Sequence, residues 1–254
     1  MTAVEPRPSI GIVLIGDEML SGKRVDKHMP KVIELLKGRG LSLTWARFVS
    51  DDGDVLTSNL AQTMASEDIV FSFGGIGATP DDRTRQCAAA AAGVALETNA
   101  EGRALLEAKF GNHASDSRMK MVEWPVGATV IPNPINGVPG FSLDHHHFVP
   151  GFPNMAWPMV EWVLDTYYAQ YQAEVEVEYL IEVLDTPESA LVDLMQNVMD
   201  AHPDVRIACL PNADGRRVIE FGVRGLPLPA SAAFDALVSA LEAAEVPTGR
   251  RGSR

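Results

Sequence analysis

Residues 74–84 read Gly-Gly-Ile-Gly-Ala-Thr-Pro-Asp-Asp-Arg-Thr, which sets glycine backbone, two adjacent carboxylates and two hydroxyls side by side. Glycines let a chain turn tightly and let its amides approach a ligand closely. Asp68 to Phe73, just before, is short, apolar, β-branched and aromatic, and predicts a buried strand. The alanine-rich run after Arg85 predicts a helix. A helix start carries unpaired N–H groups and a partial positive charge, so the junction predicts a phosphate or carboxylate site. Asp81 and Asp82 would repel such an anion unless a cation such as Mg2+ lies between them or one acts as a base. The plainer reading is a strand-to-helix turn with an aspartate at the helix start.

Neither of two common phosphate loops fits. A dinucleotide fingerprint starting at Gly75 would need glycine where Pro80 stands. A P-loop needs Gly-Lys-Ser/Thr, whereas Gly11 to Gly16 is followed by Asp17 and Glu18. Those two carboxylates follow Ile10 to Ile15, a near-continuous apolar run of the kind buried on both faces of a parallel sheet. Asp17 also suits a plain helix cap.

The intervening elements alternate. A helix starts near Pro30 and stops at Gly38, with Val25, Met29, Val32, Ile33 and Leu36 on one face. Leu41 to Val49 predicts a strand, and Leu56, Leu60 and Met64 stripe the helix after it. Strands alternating with helices imply a three-layer α/β/α domain around a mostly parallel sheet with right-handed crossovers. Ligands of such sheets bind outside the strands' carboxyl ends, where both Asp17-Glu18 and the glycine loop fall. Further on, Asn99 to Phe110 predicts a helix. Proline and glycine crowd residues 125–153 and predict a rigid irregular loop. Met159 to Tyr171 predicts a last helix, interrupted at its start by Pro158.

From about 172 the pattern changes. A half-exposed strand over Ala173 to Val183, a helix from Pro187 to Ala201, a hairpin about residues 212–215 and a helix from Ser231 to Ala244 predict a small α+β domain. The expected division is 8–171, 172–246 and a disordered tail over 247–254.

Composition bounds the partners. A formal charge of −13 argues against a nucleic-acid surface. No apolar run is long enough to span a bilayer, and the first nine residues lack a signal-peptide core, so a cytoplasmic protein is expected. Cys87 and Cys209 have no metal spacing and read as buried small residues. His145-His146-His147 invites a metal reading, but neighbours on a strand face opposite ways; a solvated loop is expected instead. Arg83, Arg85, Arg118 and Lys120 are expected mostly at the surface.

The 74–84 segment resembles the signature loop of the molybdopterin-binding domain, found in molybdenum-cofactor biosynthesis proteins and in the N-terminal part of the CinA family. Gly74, Gly75, Gly77, Asp82 and Thr84 fall on that pattern. Ile76 stands where cofactor-building enzymes have threonine, and Ala78 where the CinA type has proline; both departures are read as favouring CinA and its relatives. Asn133-Pro134, Pro139-Gly140-Phe141 and Pro150-Gly151-Phe152-Pro153 resemble the later CinA segments that complete a ligand cleft. Asp17 and Glu18 match a family Gly-Asp-Glu, and His28 replaces a usual asparagine. Residues 172–246 resemble the small KH-like domain that follows in CinA. The resemblance does not reach the amidase domain of full-length CinA, and that activity is not expected here.

The resemblance implies a phosphate held by Gly74, Gly75, Ile76 and Gly77, with Thr79, Thr84, Asn133, Pro139, Gly140 and Gly151 around the ligand. Asp82, with Asp17 or Glu18, would bind Mg2+ or another divalent metal, or orient a water; Asp82 and Asp17 are the catalytic candidates. Three readings stay open: a protein binding molybdopterin or a nucleotide, a metal-dependent pyrophosphatase of ADP-ribose or a similar dinucleotide, and a non-catalytic interaction module. The expected partners are a small phosphate-bearing ligand and further copies of the chain in a dimer or trimer, with neither nucleic acid nor membrane.

Overall fold

The computed structural model describes residues 8–113, 115–211 and 218–253. The chain divides into two compact units, Met1–Gln172 and Ala173–Arg254. In the first, β1 (Ile10–Ile15), α1 (Asp17–Leu20), α2 (His28–Lys37), β2 (Trp45–Val49), α3 (Gly53–Met64), β3 (Ile69–Phe73) and α4 (Thr84–Ala92) follow in order. Next come β4 (Leu96–Thr98), α5 (Ala100–Phe110), α6 (Asp116–Met119), β5 (Glu123–Pro125), β6 (Thr129–Ile131), β7 (Gly140–Leu143), β8 (His146–Val149) and α7 (Pro153–Tyr167). The main sheet has the order β2-β1-β3-β8-β7-β6. Its first four strands run parallel, and β7 and β6 extend it antiparallel.

Side-chain alternation along β1 explains the layers. Ile10, Ile12 and Leu14 pack against Val32, Leu35 and Leu36 of α2 and Met159, Val160 and Val163 of α7. Val13 and Ile15 point the other way, into a core with Leu56 and Leu60 of α3, Cys87 and Ala88 of α4 and Leu106 of α5. A strand buried on both faces needs apolar residues at every position, which is why Ile10 to Ile15 lacks the polar alternation of an exposed strand. The result is an α/β/α unit whose β1, β2 and β3 all deliver their carboxyl ends to one edge.

The second unit holds β9 (Val177–Leu184), α8 (Val192–Ala201), β10 (Arg206–Pro211), β11 (Val218–Gly225), α9 (Pro227–Ala243) and β12 (Thr248–Ser253). Its antiparallel sheet has the order β10-β11-β9-β12. Phe221, Ile181 and Val183 of the sheet bury against Ala233, Leu237 and Leu241 of α9.

Several expectations fail for physical reasons. Residues 248–253 are not a disordered tail: they form β12, which satisfies the free edge of β9, and Leu184 donates to the Pro247 carbonyl at 2.8 Å. The stretch 125–153 is not one irregular loop, since its prolines punctuate β5 to β8. Nor is His145-His146-His147 a solvated loop. His146 and His147 lie in β8, 2% and 1% exposed, because pairing with both β3 and β7 seals that strand inside the sheet. Pro158 sits inside α7, not at its start, which is taken by Pro153. Val25 is 85% exposed and precedes α2, so it belongs to no buried stripe, and Ile33 is likewise on the outer side. The turn expected at residues 212–215 lies outside the described residues.

Candidate functional site

A cleft of about 470 Å3 opens at the carboxyl edge of the parallel strands. Its floor is the glycine loop between β3 and α4: Gly74, Gly75, Ile76, Gly77 and Thr79, with Asp81 and Asp82. The β1 and β2 ends add Gly16, Glu18, Arg24 and Asp51, while Asn133, Asn136, Val138 and Pro139 with Pro150, Gly151 and Phe152 close the far wall. Three crossovers and one antiparallel extension thus converge on one hollow.

The loop's shape is set by contacts that only glycine permits. Gly74 has φ +105° and Gly75 φ +68°, both on the side that L side chains avoid. A Cβ on Gly74 would lie 2.7 Å from the Ile15 carbonyl, and one on Gly75 would overlap the Thr84 hydroxyl. Thr84 is fully buried; its hydroxyl donates to the Gly74 carbonyl at 2.9 Å, and its own N–H donates to the Gly75 carbonyl at 3.0 Å. The Gly74 N–H continues the sheet by donating to Val149. Among the described residues, the N–H groups of Gly75, Ile76 and Gly77 donate to no protein acceptor. Two expected ligand contacts therefore move. The Gly74 amide is already engaged, and Thr84 braces the loop from beneath instead of facing the cleft.

Asp82 closes the loop from the other end. Its Oδ2 accepts the Thr79 N–H at 2.9 Å and the Thr79 hydroxyl at 2.5 Å, and its carboxylate lies against Gly77. Asp17 does not line the cleft. It exchanges bonds with Asp51: the Asp17 N–H donates to Asp51 Oδ2 at 3.0 Å, and the Asp51 N–H donates to Asp17 Oδ1 at 3.3 Å. That exchange ties the loop after β1 to the loop after β2 and puts Asp51 on the cleft wall in the place expected of Asp17. Partial burial pushes the Asp51 carboxyl above the usual range, and the charges of Asp17, Glu18 and Asp81 push the same way. Its position at the end of β2 was the available signal, because strand carboxyl ends supply such sites. Glu18 reaches Arg24 at 3.6 Å. Among the described residues no group of three His, Cys, Asp or Glu is arranged to hold a metal ion.

The far wall is built from turns. Asn133 is buried; its Oδ1 accepts the Ile135 N–H at 3.1 Å, and its Nδ2 donates to the Val138 carbonyl at 2.9 Å, so it shapes the 133–138 turn. Pro139 and Gly151 line the cleft. Gly140 does not: it is buried in β7 opposite Ile131, where a Cβ would strike the Phe148 carbonyl. Gly151 backs onto the glycine loop: a Cβ on it would meet the Gly74 Cα at 3.5 Å, an ordinary packing distance. His28 Nε2 lies 3.2 Å from the Gly151 carbonyl. A carbonyl only accepts, so the proton sits on Nε2 and leaves the buried Nδ1 without a partner. Burial lowers the His28 pKa and keeps the ring neutral. A second hollow of about 350 Å3, lined by His28, Asp26 and Phe73, shares Ile15, Glu18, Arg24 and Gly151 with the main cleft.

The family described as a probable molybdopterin binding domain matches residues 11–170, the whole of this α/β unit from β1 through α7. The chain belongs to that family. It is 34% identical over 199 residues to a CinA-like protein of Anaeromyxobacter sp. strain K, which covers 75% of this chain and 48% of the relative. A CinA-like protein of Anaeromyxobacter sp. strain Fw109-5 is 32% identical over 242 residues, covering 85% of this chain and 59% of that one. The chain thus spans about half the length of the curated relatives it matches. Among solved structures, the CinA protein of Thermoplasma acidophilum superposes with a TM-score of 0.57 at 24% identity, covering 62% of this chain and 96% of that one. That likeness extends the family assignment to the fold. No helix among the described residues is long and apolar enough to cross a membrane.

Proposed function

We propose that this protein binds a small phosphate-bearing ligand, a pterin or a nucleotide, with its phosphate on the amides of Gly75, Ile76 and Gly77. One observation carries the reading: three consecutive residues whose N–H groups have no protein acceptor line a cleft of about 470 Å3 in a protein whose net charge is −13. An anion approaching so acidic a surface needs donors that bring no carboxylate with them, and backbone amides at a helix start are such donors. The apolar wall of Val138 and Phe152 supports a flat ring attached to the phosphate.

A second reading, a metal-dependent pyrophosphatase of a dinucleotide such as ADP-ribose, is favoured by the adjoining hollow. Two hollows that meet at Glu18, Arg24 and Gly151 suit a ligand with two ends and a central pyrophosphate. Mg2+ is commonly held by one or two carboxylates together with substrate phosphates. One or two of the cleft carboxylates Glu18, Asp51, Asp81 and Asp82 would hold it, with ligand oxygens completing its shell; the bound cation would offset charge on the pyrophosphate.

Thermal shift with a molybdopterin precursor, ATP and ADP-ribose, each with and without Mg2+, tests both readings. Stabilisation by any of them that Gly75→Ala abolishes supports the loop site. Stabilisation by ADP-ribose only with Mg2+, accompanied by release of AMP that Asp82→Ala removes, selects the pyrophosphatase. No shift with any ligand sinks both.

A further inference from the structure

Arg85, one residue into α4, is 2% exposed. Its guanidinium lies behind the glycine loop, away from solvent. One nitrogen donates to the Gly77 carbonyl at 3.0 Å; another donates to the Lys120 carbonyl and lies 3.4 Å from that of Glu123. The buried Nε has no partner. Among the described residues Arg85 forms no salt bridge. This is an unusual arrangement. Buried charges are ordinarily paired, because removing an ion from water costs several kcal/mol. Arginine does not escape by giving up its proton. Its neighbours Glu123 and Asp82 are close enough to feel its charge but not to neutralise it by contact.

The position suggests what the missing counter-charge is. Arg85 bonds to the loop whose Gly75, Ile76 and Gly77 line the cleft with their N–H groups unpaired, and it does so from the protein side. We propose that Arg85 is a positioning residue whose buried charge tunes the glycine loop for a multiply charged phosphate, a pyrophosphate above all. It acts in two ways. Its bond to the Gly77 carbonyl fixes the peptide planes, so that the amides point at the cleft. Its charge, which no contact ion pair neutralises, lowers the cost of placing an anion on the other side of the loop. It does not touch the ligand. This rests on the anion-site reading above and adds which feature selects the charge of the ligand.

The test separates charge from hydrogen bonding. Arg85→Lys keeps the charge and loses the fork; Arg85→Gln keeps donors and loses the charge. Inorganic pyrophosphate affinity is measured by calorimetry at pH 6.5, a pH chosen to favour the protonated form of the buried lysine, with the unfolding temperature of each free variant as the control for folding. A unit charge at about 8 Å and an effective dielectric near 20 changes affinity about thirtyfold for each unit of anion charge, so for multiply charged pyrophosphate the change is at least about thirtyfold. Arg85→Gln should lose that much and Arg85→Lys no more than about threefold. Equal losses in both, or none in Arg85→Gln, overturn the proposal while leaving the loop site standing. If Arg85→Gln does not fold, the wild type carries the test through its salt dependence. A buried cation is screened weakly, so raising NaCl from about 50 to about 500 mM should weaken pyrophosphate by less than about threefold, and a steeper fall overturns the proposal. A wild type that binds no pyrophosphate removes both the proposal and the anion site.

Discussion

Acidification should unfold the first unit well above the pH at which its carboxylates titrate. His146 and His147 stand side by side on β8 with both rings buried. The His146 Nε2 meets the Thr63 hydroxyl at 3.0 Å, and His147 is held between Ser142 at 2.8 Å and the Tyr168 hydroxyl at 2.7 Å. Burial, reinforced by the neighbouring imidazoles, lowers their pKa values from the usual 6.5 to about 4 and about 3. The sign follows from proton counting. Between pH 6.5 and 4 the unfolded chain binds protons at both positions and the folded one at neither. Stability therefore rises with pH across that window and is lost as pH falls through it. Each histidine contributes up to about 1.4 kcal/mol per pH unit, approached only below pH 6.5, so from pH 6.5 to 5 the pair removes about 3 kcal/mol. That is a large part of the roughly 5–15 kcal/mol that holds a domain together. Asp68 and Asp165, held low by bonds from Trp45 and Arg39, act only at lower pH. The assay is urea unfolding followed by tryptophan fluorescence, because all four tryptophans, at 45, 124, 157 and 162, lie in the first unit. His146→Gln should cut the slope by about a third to a half, since His28, its pKa also lowered by burial, acts in the same direction. A stability that changes by less than about 1 kcal/mol between pH 6.5 and 5 would refute the reasoning.

Other outcomes follow from single contacts in the cleft. Gly75→Ala forces a Cβ into the Thr84 hydroxyl at φ +68° and should cost about 1–3 kcal/mol in thermal unfolding while abolishing the ligand shift. Thr84→Val leaves the buried Gly74 carbonyl without its hydroxyl donor and should cost about 1–3 kcal/mol, read by denaturant titration. Asp51→Asn should raise the unfolding temperature at pH 7. The folded state raises this carboxyl's pKa, so its ionised form is destabilising above that value, and asparagine removes the charge yet keeps the acceptor for Asp17. The same variant should weaken any Mg2+-dependent shift.

The amino-acid sequence determined the alternation of the first three strands and helices, and with it the edge at which chemistry would gather. Six consecutive apolar positions from Ile10 to Ile15 admit few structures besides a strand covered on both faces. Gly74 to Gly77 could be identified because glycine at a strand-to-helix junction relaxes a backbone constraint that is local in the chain. The roles of individual side chains were not local in this sense. Asp17 turned to Asp51, residues 34 apart meeting only because β1 and β2 lie side by side. Thr84 went under the loop because α4 starts directly beneath Gly75. Arg85 reads as a surface cation in any window of sequence, and became a buried one only when the 120–123 segment closed over it. His146 and His147 read as solvated until pairing with β3 and β7 removed their water. Residues 248–253 lacked the pattern of a strand, yet the free edge of β9 supplied the hydrogen bonds that made them one. Periodicity records which residues can share a face. Which groups lose their water, and which partners replace it, is decided by elements far apart in the chain.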